Sequence, residues 1–64
     1  MIWEGEVVVR AKTPKALLVE YEGEEGWIPL SIIDEDSEVC GLTKIGDEGQ
    51  LVIPYWKAEE LSWA

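Results

Sequence analysis

A chain of 64 residues with one cysteine and no histidine must hold its fold by burying side chains, because it has neither an intramolecular disulfide nor metal-binding equipment to staple it. That length suits a single domain near the lower limit at which a core holds a fold unaided. The chain is 47% hydrophobic, ordinary for a globular sequence and too much for a disordered one. Trp3, Trp27, Trp56 and Trp63, each able to bury roughly 150–250 Å², are expected to supply much of the core.

The pattern along the chain is that of short strands. Glu6 to Lys12 mixes β-branched residues with charged ones, as a half-buried strand does. Thr13-Pro14-Lys15 is a turn, since Pro14 fixes φ and donates nothing to a ladder. In a second strand, Ala16 to Glu22, the alternation places Leu17, Val19 and Tyr21 on one face, towards the core, and Leu18, Glu20 and Glu22 on the other. Gly23-Glu24-Glu25-Gly26 reads as a hairpin loop. Trp27 then opens a third strand ended by Pro29, and is expected to be a core residue facing Leu17, Val19 and Tyr21. Leu30 to Ile33 is a helical turn with Pro29 at its start, and Asp34 to Ser37 is a solvated connection. Glu38 to Leu42, with Cys40 as a small core filler, is expected to pair with Gln50 to Ile53 in a last hairpin. Pro54 ends that strand and opens a short helix, Tyr55 to Leu61.

The fold class is therefore mainly β (α+β): a small antiparallel sheet, or an SH3-like or OB-like half-barrel, of about five strands with a short C-terminal helix. Trp27-Ile28-Pro29-Leu30 and Val52-Ile53-Pro54-Tyr55 share one order of parts: strand, proline, helical turn.

Fourteen acids against five bases give a net charge of −9, and the charge is regional. Between Glu20 and Glu48, ten acids face Lys44 alone and account for the whole −9, while Glu4, Glu6, Glu59 and Glu60 are balanced by Arg10, Lys12, Lys15 and Lys57. Charge needed only for solubility has no reason to be so placed. Glu20, Glu22 and Glu24, with Glu25 beside them, and Asp34, Asp36 and Glu38 follow a period of two residues. On extended chain that period spaces charges at about 6.6–6.8 Å, comparable to neighbouring phosphates of a nucleic-acid strand. For any single row, the alternative is an ordinary solvated sheet face.

Catalysis needs a nucleophile, acid or base tuned by its neighbours. Histidine is missing, and neither the serines and threonines nor Cys40 has a context that activates it, so no enzymatic activity and no cofactor are expected. Asp34-Glu35-Asp36-Ser37-Glu38 starts like a calcium loop but puts Val39 where the turn glycine belongs and Ile45 where the bidentate glutamate belongs. Direct nucleic-acid binding is opposed by the −9 charge, with only Arg10, Lys12 and Lys15 as a basic stripe. Cys40 alone gives no sign of an oxidising compartment, and Met1-Ile2-Trp3-Glu4 lacks the start of a secretory leader. No apolar run approaches the ~20 residues of a membrane span. A monomeric cytoplasmic protein of a bacterial host, without membrane contact, is the expectation.

Lys15-Ala16-Leu17-Leu18-Val19-Glu20, Gly26-Trp27-Ile28-Pro29-Leu30-Ser31-Ile32-Ile33 and Gly46-Asp47-Glu48-Gly49-Gln50-Leu51-Val52-Ile53-Pro54-Tyr55-Trp56-Lys57-Ala58-Glu59 together resemble a short module of small bacteriophage and mobile-element proteins, over roughly Lys15 to Glu60. By size and acidity the chain is also similar to anti-CRISPR proteins that act as DNA mimics. The similarity implies an acidic interaction protein that occupies a basic nucleic-acid-binding protein or complex, a CRISPR effector among them; the regional charge, not the resemblance, selects Glu20, Glu22, Glu24, Glu25, Asp34, Asp36 and Glu38 as its contact residues. The alternative is a phage accessory module in nucleic-acid processing that contacts single strands through Trp27, Trp56 and the Arg10–Lys15 stripe.

Overall fold

The N-terminal strand is longer than its valine run alone predicts: β1 spans Ile2–Lys12 in the computed structural model, which describes residues 1–64. β2 (Ala16–Tyr21), β3 (Glu24–Pro29) and β4 (Glu48–Pro54) complete one antiparallel sheet in the order β3-β2-β1-β4, with a 3-10 turn at Leu30–Ile32 and a helix, α1, at Tyr55–Glu60. Three consecutive strands with the fourth returned beside the first is the Greek-key order. β1 can bridge both halves because of its length. Its first part, Ile2 to Val8, pairs with β4, and its last part, Val8 to Lys12, pairs with β2 across a bulge between Val9 and Ala11. β3 and β4 are the two edges, so the sheet is open rather than closed into a barrel.

The mainly β, α+β architecture is as expected, with four strands in place of five. Glu38 to Leu42 runs beside β4 without becoming a strand. The Ser37 hydroxyl accepts from the Val52 N–H (2.8 Å) and donates to the Val52 carbonyl (3.1 Å), while the Glu38 carboxylate accepts from the Gln50 N–H (2.7 Å). Side chains thus occupy the outward donors that a fifth strand's carbonyls would need, and the β4 edge is satisfied without one. The chain then turns away. Val39 drops into the core, and Cys40 is exposed in a turn rather than packed inside as a filler.

The hairpin is tighter than the Gly23–Gly26 loop expected from sequence. Tyr21 pairs directly with Glu24 across a two-residue turn, with φ of 49° at Glu22 and 84° at Gly23. Positive φ at both positions makes a type I′ turn, whose twist matches that of the flanking strands. Direct partners share a face, so inward Leu17 and Val19 face Ile28 and Gly26, and outward Leu18 faces Trp27. Trp27 therefore points away from the core, 46% exposed.

The core is aliphatic rather than built from tryptophan: Val7, Val9, Leu17, Val19, Ile28, Val39, Leu51, Ile53 and Ala58 form the buried cluster. Trp3 and Trp63 pack against it half-buried, and Trp56 is 56% exposed. Trp3 lies across Gly5, where a Cβ would run into its ring, so a strand glycine is what admits the indole. Both Pro29 and Pro54 have φ of −59° and convert a strand into a helical turn, each directly after a fully buried isoleucine.

α1 ends in a Schellman motif. The Trp63 N–H donates to the Ala58 carbonyl (2.8 Å) and the Ser62 N–H to the Glu59 carbonyl (3.0 Å), with Ser62 at φ 63°. This motif turns Trp63 back onto the sheet, but a serine in the left-handed region carries a Cβ penalty that glycine avoids. Ser62→Gly should raise stability by about 0.5–1 kcal/mol, read as a higher urea midpoint at unchanged slope.

Candidate interaction surfaces

The helix, the 3-10 turn and the long connection after it cover one face of the sheet; strand alternation leaves the other uncovered except at Val52 on β4, which is buried. Register places Glu25, Glu20, Val8 and Glu48 in one row across β3, β2, β1 and β4, with Glu6 and Glu4 continuing along β1 beside Gln50 and Val52. Two contacts fix side chains to this face: Arg10 Nη2 meets Glu20 at 2.7 Å, and Gln50 Nε2 donates to Glu4 at 3.2 Å. On the other side of the row the face turns apolar, with Leu18 opposite Trp27 and Ala16 opposite Pro29. The surface is thus half acidic and half apolar. Its one guanidinium is already held by Glu20.

The acids singled out from the sequence do not all gather. Glu20 and Glu25 are direct cross-strand partners on the open face. Glu22 stands in the hairpin turn, and Glu24 lies beside Tyr21 and Trp63 at the hairpin's end, on the parity of the covered face. Asp34, Asp36 and Glu38 run along β4, at the opposite edge from β3. Three strand spacings, roughly 14 Å, separate the two edges. Asp34 Oδ1 accepts the Asp36 N–H (2.9 Å) and Glu38 accepts the Gln50 N–H, so two of these carboxylates shape local backbone. Glu4, Glu6 and Glu48 were absent from the expected set. The Glu4-Gly5-Glu6 alternation on a long strand was the signal that places the first two on the uncovered face.

The basic stripe is largely engaged. Arg10 is tied to Glu20, and Lys12 Nζ donates to the Thr43 carbonyl at 3.1 Å, which leaves exposed Lys15. Exposed Cys40 accepts hydrogen bonds from the Leu42 N–H (3.4 Å) and the Thr43 hydroxyl (3.9 Å), which hold its thiol below the usual pKa, the Leu42 bond most strongly. Thr43→Val removes the second donor, so the midpoint for thiol alkylation should move to higher pH. At a fixed pH just below that midpoint the reaction should slow, as a rate profile with iodoacetamide will read.

No family model, curated protein or solved structure matches this chain. No helix is long and apolar enough to cross a membrane.

Proposed function

We propose that this chain is an acidic interaction protein of bacteriophage that acts in the host cytoplasm, as a monomer, by occupying the basic groove of a nucleic-acid-binding complex in place of DNA. A CRISPR effector complex is the preferred target. The observation that carries the reading is the uncovered sheet face, where Glu4, Glu6, Glu20, Glu25 and Glu48 project together and the only base is internally paired. Carboxylates along a strand and across neighbouring strands are separated by about 5–7 Å, so they can meet Lys and Arg side chains that otherwise hold successive phosphates. The apolar half around Leu18 and Trp27 supplies contact area that charge alone lacks.

Binding to a purified CRISPR effector complex at low and physiological salt tests this. Salt-dependent association that excludes target DNA is expected; association indifferent to salt, or compatible with DNA capture, overturns it. Exposed Trp27 and Trp56 favour a second reading, direct single-strand contact. It requires fluorescence quenching by an oligonucleotide at low salt, which the acids around Trp27 oppose.

A further inference from the structure

A cavity of about 180 Å³ opens at the end of the β2–β3 hairpin, between Tyr21, Glu22, Glu24, Ser62 and Trp63. It is small beside the roughly 300–1,000 Å³ of pockets that hold drug-sized ligands, and suits a single side chain. Two of its five lining residues are aromatic, Tyr21 and Trp63, and its charge is negative. The Tyr21 and Trp63 rings stand 5.5 Å apart with planes inclined at 47°, and both are braced by Trp3, at 4.8 Å and 5.5 Å. Neither Glu22 nor Glu24 has an ion-pair partner within the chain, and no Lys or Arg lines the opening. The type I′ turn fixes the backbone at Glu22 and the Schellman motif fixes it at Ser62 and Trp63, so the positions from which the lining side chains project are set.

We propose that this cavity is an anchor site for one arginine side chain of the protein partner. A guanidinium stacks on an aromatic face and forks onto a carboxylate at the same time, which fits two rings flanked by two unpaired glutamates. A lysine ammonium satisfies the charge but not the planar stacking. The neutral ureido group of citrulline keeps the planar shape but not the charge. The assignment rests on the reading of the chain as an acidic interaction protein and adds a fixed point to it, since a row of exposed charges alone gives steering but little register.

The test is an NMR titration of the full chain with acetyl-Gly-Arg-Gly-amide, with the lysine and citrulline analogues as controls. Trp63 provides the reporter, because its indole Nε1 is buried and has no acceptor within the chain. Saturable shifts centred on the Trp63 indole and the Tyr21 and Glu22 amides are expected with arginine. Lysine should bind at least threefold more weakly, and citrulline should produce no saturable shift. Glu22→Gln with Glu24→Gln should weaken arginine binding at least fivefold, while Glu4→Gln with Glu6→Gln should change it less than twofold. Equal response to citrulline or lysine, shifts spread evenly over the open sheet face, or an unaffected E22Q/E24Q variant each overturn the anchor. Association of the chain with an effector complex despite such a result would leave the broader reading standing; arginine binding without that association would do the reverse.

Discussion

Leu17→Ala should lower stability by about 2–5 kcal/mol, against a total of about 3–10 kcal/mol for a domain of this length. Leu17 is fully buried, pairs with Ile28 on β3 and Lys12 on β1, and belongs to the single core cluster. The layer over it is only one short helix, a 3-10 turn and a connection, with no disulfide, so the cavity left by three lost carbons weakens the single core on which the whole sheet depends. Trp27→Ala removes a larger side chain but should cost about 1 kcal/mol or less, because Trp27 lies on the uncovered face. Urea unfolding of the two variants separates them. Equal losses would mean that Trp27 is packed as a core residue, and with it the assignment of the open face would fall.

The parity of β3 decides that contrast, and it was available from the sequence. With Leu17, Val19 and Tyr21 inward, any hairpin loop of even length pairs Trp27 with an outward residue; only an odd loop or a bulge turns it in. The size of the indole suggested a core role, but the alternation overrules size, since a strand cannot rotate one side chain independently of its neighbours. Gly26 is the inward residue instead, and Leu61 and Trp63 press against its backbone, where a Cβ would lie 2.9 Å from Leu61 Cδ2. The two strand-to-helix conversions at Pro29 and Pro54 were legible because a fixed φ and a missing donor act locally.

The connection after Ile33 was not legible in the same way. Val39-Cys40 has strand-like composition, but Ser37 and Glu38 outcompete backbone carbonyls for the Val52 and Gln50 donors, a tertiary contact that no local pattern announces. For the same reason the acidic site was only partly readable. Counting charge along the chain selected Asp34, Asp36 and Glu38, which sequence brings near Glu25 but topology sends to the other edge. It also passed over Glu4 and Glu6, balanced by bases in sequence yet placed beside Glu48 and Gln50 by the return of β4 to β1.

Reversing Glu6, Glu25 and Glu48 together to lysine should weaken association with a basic partner by at least about fivefold. An exposed ion pair contributes roughly 0.2–1 kcal/mol, and reversal both removes an attraction and adds a repulsion. Three such changes therefore amount to about 1–6 kcal/mol, and with about 1.4 kcal/mol per tenfold in affinity the lower end is about fivefold. Reversing Glu35, Asp36 and Glu59 alters net charge by the same amount but touches the β4 edge and the helix, so its effect should be limited to a modest loss of long-range steering. The salt dependence of binding should flatten in the first variant and persist in the second. The open-face variant should still fold, since a lysine at position 25 stands directly opposite Glu20 and replaces a like-charge cross-strand pair with an attractive one. If the two variants lose affinity equally, net charge rather than the sheet face governs recognition. If neither loses affinity, the partner reads Trp27 and its apolar surroundings, and mimicry of a phosphate backbone is not how this chain works.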